Sequence, residues 1–284
     1  MSAVQEAARP PEVVVPIHNA ADLLEDCLDA LARTLPDGAT VQLVDDASTE
    51  AGVAGLLAAH PLVRRLGVQV LRQDRNLGFV ATVNAAVARA PGDVILLNSD
   101  TRVTPGWLER LLACADSDPT IASVTPWSNN AEICSLPDWC RNNQVPADPD
   151  AVALALAGAG RPEYPSLPTA VGFCMFLRRA AWDQVGDFDV ATFGRGYGEE
   201  NDWCLRATAF GWRHALCDDA YVVHVGGASF AATGHRPGGG QLQRLCARYP
   251  HYNALIADFI RSDPYAARRK ALLADPALAA ALRP

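Results

Sequence analysis

One lysine, Lys270, stands among 24 basic residues, the other 23 being arginines. Thirty-two acidic residues outweigh them to a net charge of -8. A chain with that balance has no basic footprint for displacing counterions from a nucleic acid. No apolar run approaches the ~18 residues that span a bilayer. Residues 1–11 lack the apolar stretch behind a basic start that marks a secretory leader. The expectation is a cytoplasmic protein, at most peripheral at the inner face of a membrane. Eight cysteines are scattered and none forms a C-x-x-C pair, which argues against a zinc cluster and, without a leader, against a disulfide framework. Three signatures are also missing. There is no G-x-x-x-x-G-K-[ST] phosphate loop, no G-x-G-x-x-G after the first strand and no G-x-S-x-G nucleophile elbow.

What is present is a 284-residue chain, half of it hydrophobic, long enough for one large domain with an appendage. Apolar runs at 13–15, 41–44, 68–71, 94–97 and 121–125 alternate with helical patterns at 20–33, 51–59, 79–90 and 105–115. That alternation predicts a mainly parallel α/β sheet flanked by helices. Residues 126–168 read as an irregular excursion with an alanine-rich stretch at 151–159, and 171–177 returns to strand. The glycine-rich segment 186–198 reads as a loop and 199–210 as a helix capped by Gly211. Two short strands are expected at 212–217 and 220–225. Gly238, Gly239 and Gly240 mark a hinge, and helices broken by Pro250, Pro264 and Pro276 follow. The division this suggests is a domain over 1–237, with halves meeting near 125, and a helical segment over 238–284.

Ligands of parallel sheets bind beyond the carboxyl ends of the strands. The residues there are His18 and Asn19; Asp45 and Asp46; Asp74, Arg75 and Asn76; and Asn98, Ser99 and Asp100. Turn-forming preference accounts for any one such end taken alone, but four polar ends in a row point to a site. In the 199–206 helix, Glu200 shares a face with Trp203, Cys204 and Ala207. A carboxylate on that apolar side is desolvated, and its pKa rises toward a value useful to a base. Asp202 precedes Arg206 by four residues, an ion-pair spacing. Trp127, Asn129 and Asn130 follow the fifth strand and are candidates for a pocket wall. Asp187, Asp189 and Tyr197 of the glycine-rich loop are candidates for a lid.

Together these blocks resemble the family 2 glycosyltransferases. The segment 13–19 (VVVPIHN) is similar to the family's opening, and 44–49 (VDDAST) to its second block. Residues 76–79 (NLGF) with Asn84 are similar to the third. Asn98-Ser99-Asp100 stands where the family carries its metal-binding D-x-D, and 198–206 (GEENDWCLR) resembles its acidic block. Residues 223–227 (VHVGG) match the late histidine motif, and the rhamnosyltransferase-like branch is the nearest in flavour. The resemblance covers about 12–230.

The resemblance implies a GT-A fold, a nucleotide-diphosphate sugar donor (UDP-, dTDP- or GDP-sugar), inversion at the anomeric carbon, and a saccharide or lipid-linked acceptor in bacterial polysaccharide synthesis. Pro16, His18, Asn19, Asn76, Gly78, Asn98 and Ser99 would line the nucleotide, and Asp46 (or Asp45) would hydrogen-bond the base, helped by Arg75. Asp100 and His224 would hold Mn²⁺ or Mg²⁺, and Glu200 would be the catalytic base. Trp127, Asn129, Asn130, Asp189, Tyr197, Glu199, Asp202 and Trp203 would shape the acceptor or sugar pocket. Asn98 departs from the pattern, since an amide replaces a carboxylate that a hard cation prefers. It lends some support to a rival, a non-catalytic nucleotide-sugar-binding subunit. The intact 199–206 block opposes that rival. A sugar-1-phosphate nucleotidyltransferase shares the sheet, but its glycine-rich basic first loop is absent at 18–21. Arg268, Arg269 and Lys270 on the last helices are candidates for contact with an anionic membrane surface.

Overall fold

The computed structural model describes residues 10–65, 67–194, 196–226 and 240–284. Its strands are β1 (Glu12–Ile17), β2 (Val41–Asp45), β3 (Val68–Arg72), β4 (Val94–Leu97), β5 (Thr101–Val103), β6 (Ile121–Trp127), β7 (Ser166–Leu167), β8 (Cys174–Leu177) and β9 (Arg213–His224). The helices are α1 (Ala21–Thr34), α2 (Ala51–Ala59), α3 (Phe79–Arg89), α4 (Trp107–Asp116), α5 (Pro149–Gly158), α6 (Arg179–Val185), α7 (Val190–Phe193), α8 (Glu199–Ala209), α9 (Gly240–Arg248), α10 (Tyr252–Ser262), α11 (Ala266–Leu273) and α12 (Pro276–Ala281). The strands lie in the order β3-β2-β1-β4-β8-β6-β9-β5, with β7 added to β9. β1 to β4 pair in parallel, while β8 runs antiparallel to both β4 and β6.

The two-residue period of β1 explains how the layers form. Val13, Val15 and Ile17 enter one core with Leu24, Leu28 and Leu31 of α1 and Trp107 and Leu111 of α4. Val14 enters the other, with Val80, Val83 and Val87 of α3 and Trp203 of α8. Both faces of β1 are therefore covered, as in a central parallel strand. β3 is the edge, and Gln69, Val70 and Arg72 on it are exposed.

The structure changes several sequence expectations. The pair of strands at 212–217 and 220–225 is one twelve-residue strand, β9, whose pairing to β6 shifts between Cys217 and Tyr221. The polar residues that look like a turn are absorbed at this irregularity. Asp218 is fully buried and accepts hydrogen bonds from the Glu163 and Tyr164 amides and from Arg268 Nε. The excursion 126–168 contains α5 and the 3-10 turn Glu132–Cys134. The 186–198 loop contains α7, and the strand foreseen at 171–177 is confined to Cys174–Leu177. Gly238 and Gly239 of the foreseen hinge lie outside the described residues.

The C-terminal helices are fastened to the sheet by buried groups. Tyr265 donates to the Ser166 carbonyl at 2.6 Å and meets Trp127 edge-to-face. Arg268 pairs with buried Asp218, and Arg269 forks onto Asp263. Two of the three cations considered for a membrane surface are thus spent on the protein's own carboxylates. Among the described residues, no helix is long and apolar enough to cross a membrane.

Candidate active site

The order β2-β1-β4 sets three polar strand ends side by side, with the topological switch point between β1 and β4. At the end of β2, Asp45 receives the Ser48 amide at 2.8 Å and pairs with Arg72. Asp46 receives the amides of Leu77 (2.7 Å) and Gly78 (2.9 Å), one on each oxygen. These contacts pin the 76–78 turn, where Gly78 adopts φ +84, a conformation open to glycine at no steric cost. His18, after β1, touches the Asp46 carbonyl at 3.0 Å and the Asn76 amide at 3.1 Å. The Asn19 side-chain oxygen accepts the Thr49 and Glu50 amides at the start of α2. Pro16 lies within β1, pairing with Val44 of β2. The arginine that meets this cluster is Arg72, not Arg75, which is exposed and reaches neither aspartate. Strand geometry sets this: Arg72 closes β3 in register with Asp45, whereas Arg75 lies three residues beyond the strand and is exposed.

At the end of β4, the Asn98 amide donates to the Phe173 carbonyl at 2.9 Å, and its own carbonyl accepts Thr101 Oγ1 at 2.7 Å. Ser99 and Asp100 follow and are buried. His224, at the end of β9, faces Asp100, with Nε2 3.6 Å from Oδ1. Its Nδ1 lies 2.7 Å from the Asn130 carbonyl. A carbonyl only accepts, so Nδ1 carries the proton and Nε2 presents a lone pair toward Asp100. Asn129 locks the histidine's backbone, accepting its N–H at 2.9 Å and donating to its carbonyl at 3.0 Å. Phe173 stacks on the imidazole at 5.1 Å. A carboxylate oxygen and an imidazole lone pair facing each other beyond hydrogen-bond distance fit two ligands of one divalent cation. Among the described residues there is no group of three or more such side chains, so the remaining positions fall to ligand oxygens or water.

The acidic block opens α8, and helix geometry divides its carboxylates. Asp202 points inward with no exposed surface and binds Arg206 Nε (2.9 Å), Arg248 Nη1 (2.7 Å) and Tyr249 OH (3.0 Å). Asp189 caps α7 through Thr192 and takes Arg248 Nη2. Trp203 stacks on Trp182 and Trp127 packs on Tyr265, both without exposed surface. Asp202, Trp203 and Trp127, expected in a sugar or acceptor pocket, are buried inside the protein, while Asp189 stays half-buried against Arg248. Asp202→Asn should cost about 3 kcal/mol by removing the shared charge of two arginines, a melting-temperature loss on the order of 10 °C that calorimetry reads.

Glu200 turns the other way, onto the wall of a cavity of about 470 Å³. Glu132, Thr169, Val171 and Tyr197 share that wall, and Leu242, Ile256 and Ile260 close it from α9 and α10. Burial pushes the Glu200 carboxyl up, and nearby Glu132 pushes the same way; amide hydrogen bonds, one of them from Gly198, pull it back. Burial raises Glu199 well above the usual carboxylate range and Glu200 raises it further. The 172–173 dipeptide joins the two halves of the site. A Cβ at Gly172 would lie 3.7 Å from Glu200 Cγ, while the Phe173 ring carries His224. The Tyr197 phenol feels Asp100, Glu199 and Glu200 together, and its pKa is raised by burial and then by these charges. Sequence reasoning missed Arg72, Glu132, Asn201 and Tyr252. Only the period-two position of Arg72 next to Asp45 carried a signal.

The fold is a GT-A architecture. The sequence model "Glycosyl transferase family 2" matches residues 12–186. The chain belongs to that family. An uncharacterized protein of Mycobacterium tuberculosis is 32% identical over 170 residues, 57% of this chain and 59% of that protein. The match thus spans about three-fifths of that relative. The N-acetylglucosaminyl-diphospho-decaprenol L-rhamnosyltransferase of M. tuberculosis is 26% identical over 239 residues, 75% of each chain. Among solved structures, a mannosyltransferase from Pyrobaculum calidifontis in complex with GDP-Man and Mn²⁺ superposes with a TM-score of 0.54 at 18% identity, covering 97% of this chain and 81% of that one. At that identity the likeness speaks for the fold.

Proposed function

We propose that the chain is an inverting, metal-assisted transferase. It would move a sugar from a nucleotide-diphosphate donor (UDP-, dTDP- or GDP-linked) to a hydroxyl of a saccharide or lipid-linked acceptor, in the synthesis of a bacterial envelope polysaccharide. The observation that carries this reading is that two consecutive residues touch both halves of the site, Gly172 lying beside Glu200 and Phe173 stacking on the His224 that faces Asp100. The β1 and β2 ends, with His18, Asn19, Asp45, Asp46 and Asn76, face the nucleotide, and Asn98 and Ser99 its sugar-phosphate. Asp100 and His224 would hold Mn²⁺ or Mg²⁺, which when bound would supply positive charge to offset that of the diphosphate.

Glu200 accepts the proton of the acceptor hydroxyl as that oxygen bonds to the anomeric carbon. The bond from that carbon to the diphosphate oxygen breaks with its electron pair leaving on the nucleoside diphosphate. Attack opposite the leaving group inverts the centre and needs no sugar-enzyme intermediate. The rhamnosyltransferase relative, named for a lipid-diphosphate acceptor, supports an acceptor of that kind, and the apolar wall from α9 and α10 is compatible with one.

The test is a thermal-shift panel of UDP-, dTDP- and GDP-sugars, each with Mn²⁺, Mg²⁺ or EDTA. A donor at a hundred times its Kd stabilises by about 2.7 kcal/mol, several degrees in melting temperature. The expected result is a shift with one nucleotide class that needs the cation. An equal shift in EDTA removes the metal from the reading, and no shift with any donor overturns it.

A further inference from the structure

Two residues, Asn201 and Tyr252, connect the catalytic carboxylate of the proposed reaction to the C-terminal helices. Asn201 Nδ2 donates to Glu200 Oε1 at 3.2 Å, and Tyr252 OH donates to Asn201 Oδ1 at 3.0 Å. The directions follow from donor and acceptor capacity. An ionised carboxylate only accepts, so the NH₂ end of the Asn201 amide must face Glu200. That leaves its oxygen toward Tyr252, and the phenol must then supply the proton. A phenylalanine at 252 would keep the ring and remove the constraint that sets the amide's orientation.

The placement of Tyr252 is itself secured. One residue further along α8, Asp202 is gripped by Arg248 and Tyr249, so the α9–α10 corner holds two successive residues of the acidic helix. The Tyr252 amide donates to the Tyr249 carbonyl at 2.9 Å, closing that corner. Tyr252 also lines the cavity that Glu200 faces.

We infer that Tyr252 is a positioning residue for the transfer reaction: through the Asn201 amide it holds Glu200 Oε1 in place and favours its ionised form, making the C-terminal helices part of the catalytic apparatus. This rests on Glu200 being the base. A hydrogen bond to the charged form of an acid lowers its pKa. Losing the Asn201 donor therefore moves the Glu200 titration upward. The other titratable groups that face Glu200 are Glu199 on its own helix, Glu132 from the 3-10 turn, Tyr197 from the loop before α8, Cys204 one turn on, and Tyr252 itself. None of them is a cation that takes over the lost stabilisation.

The experiment compares wild type, Tyr252→Phe, Asn201→Ala and the double variant, with Glu200→Gln as reference. One readout needs no substrate: pH titration of ¹³C-carboxyl-labelled glutamates, with the Glu200 resonance assigned by its loss in Glu200→Gln. The second is the pH profile of hydrolysis of the nucleotide-sugar that gives the largest thermal shift. Tyr252→Phe should raise the Glu200 midpoint by about half a pH unit, move the acid limb of kcat by the same amount, and lower kcat about tenfold with donor KM unchanged. In the Asn201→Ala background the Tyr252→Phe change should have no further effect on either. An unmoved Glu200 midpoint and unchanged kcat in Tyr252→Phe, with only a lower melting temperature, overturn the relay and leave Tyr252 a packing residue. Failure of the base assignment has a different signature, namely Glu200→Gln hydrolysing the donor at the wild-type rate.

Discussion

Glu200→Gln lowers sugar transfer by about 10³-fold and leaves donor binding intact. The amide fills the same space beside Gly172 but cannot accept a proton, and a positioned general base is worth about 10²–10⁴-fold. The pH dependence follows from the same carboxyl. Burial raises its pKa above that of an exposed glutamate, with Glu132 adding to the rise. The ionised form is the active one, so activity is full above the raised pKa and is lost as pH falls through it. The acid limb of kcat/KM should therefore lie above the ordinary carboxylate range. Substituting Glu132 by Gln should bring that limb down, because it removes a neighbouring negative charge. Steady-state kinetics with a donor chosen by thermal shift, together with calorimetry for donor affinity, check both. Transfer by Glu200→Gln within a few-fold of wild type would sink the assignment and turn attention to Glu199.

The second large effect is at Asp100. Asp100→Ala should abolish the dependence of donor binding on Mn²⁺ and reduce turnover on the order of 10²–10³-fold. His224→Ala should weaken cation affinity by roughly 10–100-fold. The two are not equivalent in the structure. In the proposed site Asp100 would supply the formal charge, and Asn98 would add none. His224 supplies a lone pair whose direction depends on the Asn130 carbonyl and on Asn129. Gly226 belongs to the same support: at φ +78 a Cβ there would meet Asn130 Nδ2 at 2.4 Å. Gly226→Ala should thus weaken Mn²⁺ binding in isothermal titration without touching a ligand, because an alanine is strained at this positive φ and its Cβ must push aside the Asn130 side chain beside the imidazole. An unchanged Mn²⁺ titration in both Asp100→Ala and His224→Ala would place the cation elsewhere or remove it.

The alternation of apolar runs with helical patterns determined the parallel half of the sheet, because burial of both strand faces and one helix face leaves an imprint in local sequence. It determined as well that polar residues cluster at the strand ends near 18, 45, 76 and 98, since connectivity alone carries every parallel strand's carboxyl end to one edge. The antiparallel half left a weaker trace. β9 reads as two strands because Asp218 looks like a turn residue; the Glu163 and Tyr164 amides and Arg268, all fifty or more residues away, make it an interior one.

Residue types in the acidic block were equally legible, but their roles were not. Glu200 and Asp202 lie on nearly opposite sides of α8. Which side meets a cavity and which meets Arg248 depends on where α9 and α10 dock. The same docking put Tyr252 against Asn201, and β-sheet register made Arg72 the partner of Asp45. Local sequence encodes periodicity and propensity. The pairing of one charge with another across fifty residues is decided only when the layers close.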